Sequence, residues 1–295
     1  MPNLLHRLLH DPAPRSVFEL SEAGIAVARA GKPLHIAFHP LEPGVISVSP
    51  MKDNVLRMEA LAAQVQALAA RGEKKRQRAV LILPDFSARV SVLDFDAFPP
   101  DPQEQRSLVR FRVKKSLPFD VDSAGLSYFA QPSANGSKKW DVVVAAAPLE
   151  ILARYEAPFR AAGFHPGLVT TSSLCAVELV RSSGVAVLAK LGGRTLTLAV
   201  VKSGVLKLLR TIELTGGGMA EVASHVFPTL AYIEDQLAAR ADRLFACGFG
   251  PDADELRREL QAEGNLEVEP LRARFGAPDQ FNAGLLGYIE SSEDF

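Results

Sequence analysis

The feature that most constrains this chain is an internal repeat. A strand, a tight polar turn and a second strand open it: Val17-Phe18-Glu19-Leu20, then Ser21-Glu22-Ala23-Gly24, then Ile25 to Ala28. The unit returns over residues 185–201, with Gly192-Gly193-Arg194 as its turn, so that Val17 to Glu22 falls on Leu188 to Gly193. Each copy leads into further strands and then helices, which predicts a duplicated α/β architecture. A length of 295 residues is too great for one small core and suits two lobes.

Local signals fill in the rest. A strand is expected through Leu34, Ile36 and Phe38, and a helix over 53–71, with Val55, Met58, Ala62, Val65 and Ala69 on one side and Gly72 as its stop. After a strand over 79–83, the alternation over 89–98 changes phase between Val92 and Leu93, which predicts a bulge. Asp101-Pro102-Gln103-Glu104 is a helix start, with Asp as cap and Pro in the first turn, and Leu117-Pro118-Phe119 closes that helix after about Ser116. Strands over 125–131 and 140–146 flank the loop Ser133–Ser137, and helix 148–162 stops at Gly163. Beyond the second hairpin come strand 205–213, Gly216-Gly217-Gly218 opening a helix to about Arg240, and strand 243–247. The turn Gly248-Phe249-Gly250 then leads to helix 251–263, strand 266–269 and a last helix near 281–290.

Composition excludes several function classes. Hydrophobic residues at 47%, charged residues at 23% and a net charge of −1 describe an ordinary globular chain with no global field for nucleic acid or an anionic membrane. Cys175 and Cys247 sit among apolar neighbours and match no metal spacing, so they are expected as buried, reduced thiols. Two histidine pairs at i,i+4, His6/His10 and His35/His39, lack an accompanying acid, and no metal site is expected. No segment approaches the ~20 apolar residues of a membrane span. The start, with Leu4, Leu5, Leu8 and Leu9 on one helical face, lacks a cleavage site after it. It is expected to pack on its own domain, a docking role being the alternative, and cytoplasmic residence is predicted.

The order of these features resembles the PilM family of type IV pilus assembly proteins, within the actin-like ATPase superfamily, and the cytoplasmic domain of the type II secretion L component. The resemblance is carried by the paired hairpins, by Phe98-Pro99 followed by a helix ending in Lys115-Ser116-Leu117-Pro118-Phe119, by Asp141 to Ala147 with Ala161-Ala162-Gly163-Phe164-His165-Pro166, and by Phe281-Asn282-Ala283-Gly284-Leu285. It covers nearly the whole chain, through motifs that are each weak alone. It implies an actin-like (ribonuclease H-like) two-lobed fold: a first lobe over 1–165 with a small α+β subdomain inserted at about 84–140, a second lobe over 166–280, and a C-terminal helix over 281–295 returning toward the first.

In such proteins the two hairpins grip the phosphates of a nucleotide, and each carries Asp-x-Gly. Here the first hairpin offers Glu19, Ser21 and Glu22, and the second offers Lys190, Gly192, Gly193, Arg194 and Thr195. A third turn retains Gly248 and Gly250 around Phe249. Ser21 puts a side chain where glycine would admit phosphate, and Glu22 would aim negative charge at it. Lys190 and Arg194 either bind phosphate as cations or pair with Glu19 and Glu22 across a vestigial cleft. The second reading accounts for both departures together. It predicts a chain without catalytic residues and without a cofactor, ATP with Mg²⁺ being the alternative.

The resemblance also implies a partner: the cytoplasmic tail of a single-span platform protein, held as an extended apolar peptide between the inserted subdomain and the first lobe. Helix 102–116 carries Arg106, Arg110, Phe111, Lys114 and Lys115, expected at the rim of that groove. The favoured function is therefore a scaffold of a pilus or secretion platform, peripheral to the inner membrane, with a motor ATPase and further copies of itself as possible neighbours. An active ATPase or phosphotransferase, or a truncated domain of a membrane-bound secretion component, are the alternatives.

Overall fold

The computed structural model describes Pro14 and residues 16–31, 34–69, 77–132, 139–261 and 266–292. The leucine-rich start with His6 and His10, the Gly72 stop and the loop Ser133–Ser137 lie outside these described residues.

The first lobe begins with β1 (Ser16–Leu20), β2 (Gly24–Arg29), β3 (His35–Pro40), α1 (Met58–Leu68) and β4 (Gln77–Leu83). An inserted unit follows: β5 (Arg89–Phe95), α2 (Pro102–Val113), β6 (Ala124–Pro132) and β7 (Trp140–Pro148). Then α3 (Leu149–Ala161) and β8 (Phe164–Thr171) complete the lobe, and α4 (Ser172–Ala176) leads out of it. The second lobe contains β9 (Val185–Gly192), β10 (Thr195–Lys202), β11 (Val205–Glu213), α5 (Gly218–Leu237), β12 (Arg243–Cys247), α6 (Ala253–Gln261) and β13 (Glu267–Pro270), before α7 (Ala283–Ser291).

The two principal sheets have the orders β3-β2-β1-β4-β8 and β11-β10-β9-β12-β13. In both, three antiparallel strands are extended by two parallel ones, so the duplication read from the hairpins extends to whole sheets. This is the actin-like arrangement. β9 and β10 are nearly continuous apolar runs because both sheet faces are covered. Val187, Leu198 and Val200 meet Val222, Val226 and Leu256 on one face, while Leu188 and Ala199 meet the interlobe core with Leu285 and Tyr288 on the other. In the first lobe, Phe18 packs between Phe159 and Phe164, beneath Leu61 and Val65 of α1.

The halves are joined where α7 crosses α4. A Cβ at Gly287 would sit 2.0 Å from the Cys175 carbonyl oxygen, and one at Gly284 would sit 2.8 Å from Ser172 Cα. Only glycine allows that approach, which brings α7 back onto the first lobe.

Some boundaries differ from expectation. α1 starts at Met58 because the Asn54 amide instead donates to the carbonyls of Ser49 and Lys52, and Val55 bridges Ile46. β5 pairs with β7 without any register shift, so the bulge between Val92 and Leu93 is absent. α2 on one face and β11 near the other leave both sides of β5 half covered, and its alternation is correspondingly weak. The third sheet, β5-β7-β6, runs to Pro148, beyond residue 140, because β7 is its central strand.

Candidate functional site: a cleft and a groove

The two hairpin turns face each other across a cavity of about 790 Å³ between the lobes, lined by Glu19–Ala23 on one side and Lys190, Gly192, Gly193, Arg194 and Thr195 on the other. The sequence therefore placed the walls of the cleft. It misplaced the charge pairs. Lys190 Nζ reaches Asp85 Oδ2 at 3.1 Å, with both side chains buried. Asp85 also accepts from Thr197 Oγ1 at 3.1 Å and from the backbone N–H and Oγ of Ser173, both at 2.6 Å. Four donors satisfy this buried carboxylate. Burial works against the Lys190 ammonium, yet Asp85 and then Glu19 hold its pKa above the usual lysine value.

Glu19 makes no direct pair with Lys190 or Arg194. Its carboxylate accepts from the Ser172 hydroxyl and from the N–H groups of Gly284 at 3.3 Å and Leu285 at 2.6 Å, closing the N-terminal end of α7. Burial pushes its pKa up to about 7, against the opposing pull of Lys190, the Ser172 hydroxyl and the Leu285 N–H. Glu22 accepts from Val48 N–H at 2.8 Å. Arg194 donates to the Leu214 carbonyl and lies 3.9 Å from Glu213, all within its own lobe. The expected pairing of hairpin acids with hairpin bases is thus corrected. The decisive acid, Asp85, comes from the turn after β4, a strand end facing the cleft, and that position was its one sequence signal.

Several residues of the turns are likewise held by the fold. Ser21 closes its turn by donating from both N–H and Oγ to the Gly24 carbonyl. Gly193, at φ +59°, donates its N–H to Gln280 Oε1 at 3.5 Å. A Cβ at Gly248 would meet the Leu191 carbonyl oxygen at 2.1 Å, and Phe249 is buried in the second-lobe core. Gly250 adopts φ +52° with open space around it. At the start of α5 the N–H groups of the glycine turn are taken from within: Glu221 accepts from Thr215, Gly216 and Gly217 N–H, which holds its pKa down at about 2.

A bound Mg²⁺–nucleotide would need free N–H donors and a net cationic or metal-holding wall. The cleft presents Glu19, Glu22, Asp85 and Glu213 beside Lys190, which is paired with Asp85, and Arg194, which is largely exposed. No cluster of three metal-ligating side chains occurs among the described residues. Cys175 and Cys247 are buried free thiols, and burial pushes that of Cys247 up to about 12.

A second cavity, about 330 Å³, lies between the inserted unit and the first lobe. Gly125, Ser127 and Phe129 of β6, Val143, Ala145 and Ala147 of β7, and Leu168 to Thr171 of β8 line it. Neither β6 nor β8 has a second strand partner among the described residues. The floor is apolar, but the basic helix is not at its rim. Val109 and Val113 seat α2 on Val142 and Val144, which alternate with the groove-lining residues and so face the other side of the sheet. Arg110 pairs with Asp122 at 2.6 Å, Phe111 is 72% exposed, and Arg106, Lys114 and Lys115 are exposed on that far side. Asp101 caps α2 as expected, accepting from Gln103 and Glu104 N–H. Periodicity gave the helix its apolar stripe but could not say which sheet face would receive it.

No protein-family model matches the chain, and no curated protein matches its sequence. Solved structures do match its fold. One is the PilM–PilN type IV pilus biogenesis complex, with a TM-score of 0.76 and 17% identity, covering 96% of this chain and 100% of that one. Another is the cytoplasmic domain of EpsL, an inner-membrane component of the type II secretion system of Vibrio cholerae, with a TM-score of 0.55 and 14% identity over 94% of this chain and 93% of that one. The chain thus has the actin-like fold, in a form similar to PilM and the EpsL cytoplasmic domain. No described helix is long and apolar enough to cross a membrane.

Proposed function

We propose that this chain is a non-catalytic scaffold on the cytoplasmic side of a type IV pilus or type II secretion platform. It would bind the tail of a single-span membrane partner, comparable to the PilN of the matched complex. The observation that carries the reading is the apolar groove bordered by β6 and β8. Two strands with open edges can hydrogen-bond an extended peptide, and the apolar floor can receive its alternate side chains. The acidic balance of the interlobe cleft and the commitment of Lys190 to Asp85 support a role without nucleotide turnover.

The test is binding of a fluorescent tail peptide from a PilN-type partner, followed by anisotropy. Ala145→Trp fills the groove and is expected to weaken binding by more than about tenfold while the fold, read by circular dichroism, is kept. Charge reversal at Lys114 and Lys115, on the opposite face, is expected to leave the affinity unchanged. Peptide binding indifferent to Ala145→Trp sinks the groove assignment, and steady Mg²⁺-ATP turnover sinks the non-catalytic one.

A further inference from the structure

The cleft and the groove share their walls. Leu83 and Ala88 line the groove, while Pro84, Asp85 and Phe86, between them in sequence, line the cleft. Thr171 and Leu174 belong to the groove, and Ser172 to the cleft. The far wall of the groove, formed by β6 and β7, is anchored to the other lobe. Gln131 of β6 donates to the Leu206 carbonyl at 2.9 Å and accepts from Leu206 N–H at 3.0 Å, taking the place of a strand partner for β11. Asp141 of β7 pairs with Lys207 at 2.5 Å, both largely buried. One wall of the groove therefore belongs to the first lobe, and the other is hydrogen-bonded and ion-paired to the second.

A polar link between the lobes runs through Asp85. Its carboxylate takes Lys190 and Thr197 from the second lobe and Ser173 from the first residues of α4. On the reading of the cleft proposed above, the lobes are held together without a nucleotide. The chain supplies its own bridge.

We propose that the Asp85–Lys190 pair does in this chain what a bound nucleotide would otherwise do: it holds the lobes closed and thereby sets the width of the groove. The closure half stands on the cleft alone, and the coupling half rests on the reading of the groove given above. Affinity for the tail then depends on an internal ion pair and not on the cellular nucleotide level.

The test compares the intact chain with Lys190→Met and with the double variant Asp85→Asn/Lys190→Met, which removes both charges at nearly constant volume and so keeps a measurement available where the single variant does not fold. Hydrogen exchange over 83–88, 188–198 and 206–207 reports closure, and tail-peptide anisotropy reports the groove. In the double variant, exchange is expected to rise in all three segments and peptide affinity to fall by about tenfold. Mg²⁺-ATP is expected to change neither reading in the intact chain. A folded double variant with unchanged exchange overturns closure, and so does an intact chain whose exchange is slowed by Mg²⁺-ATP. Raised exchange with unchanged peptide affinity, while Ala145→Trp still abolishes binding, overturns the coupling alone. Absence of peptide binding by the intact chain defeats the groove reading and the coupling together, and leaves exchange to decide closure.

Discussion

The β1–β2 and β9–β10 hairpins are copies of one another in register and sheet position, yet their equivalent side chains do opposite work. Glu19 and Lys190 occupy matching sites, Glu19 opposite Ala26 and Lys190 opposite Thr197. Glu19 turns to the chain's own C-terminal helix and receives its N–H groups. Lys190 crosses to the other lobe and receives a carboxylate. A duplicated backbone fixes where a side chain starts. What it meets depends on the segments outside the repeat, here α7 for one copy and the turn after β4 for the other.

The comparison breaks most readily at Lys190. Lys190→Met leaves the Asp85 carboxylate buried without its cation and is expected to cost roughly 3–5 kcal/mol in chemical denaturation, whereas adding Asp85→Asn should recover most of that loss. A double variant as unstable as the single one would mean that Lys190 contributes mainly packing.

Glu19 gives the next effect, and it is visible as pH dependence. Its folded pKa of about 7 lies above the ordinary carboxylate value of 4.5, because burial disfavours the charged form. The associated stability is fully present below the unfolded value and is lost as pH rises through about 7. Glu19→Gln, neutral throughout, should remove that decline between pH 5 and 8, at a cost of about 1 kcal/mol at the acid end for an imperfect helix cap. An unchanged pH profile would show that Glu19 is already ionised at the acid end of the range, its donors outweighing burial.

The smallest effect is expected at Arg194. It shares the second turn with Lys190 but is 70% exposed and lies 3.9 Å from an exposed Glu213. Arg194→Ala should cost less than about 1 kcal/mol, reduced further by salt. A loss as large as that at Lys190 would erase the distinction between the buried and exposed cations of this turn.

Much of the fold was legible in the order of residues. The hairpin repeat, the Asp101 cap, the stop at Gly163 and the strand around Arg243–Cys247 are local signals, set by turn chemistry and apolar alternation within a few residues. The two turns that border the cleft were legible too, with Ser21, Glu22 and Lys190 in them. Tertiary structure alone decided three things. It chose Asp85 over Glu19 and Glu22 as the partner of Lys190, because that contact spans 105 residues of sequence and no local pattern encodes it. It put the basic face of α2 on the side of the sheet away from the groove, because periodicity defines a buried stripe without naming the surface that buries it. And it joined α7 to α4 through Gly284 and Gly287, where the lack of a Cβ acquires meaning only once another backbone lies within reach.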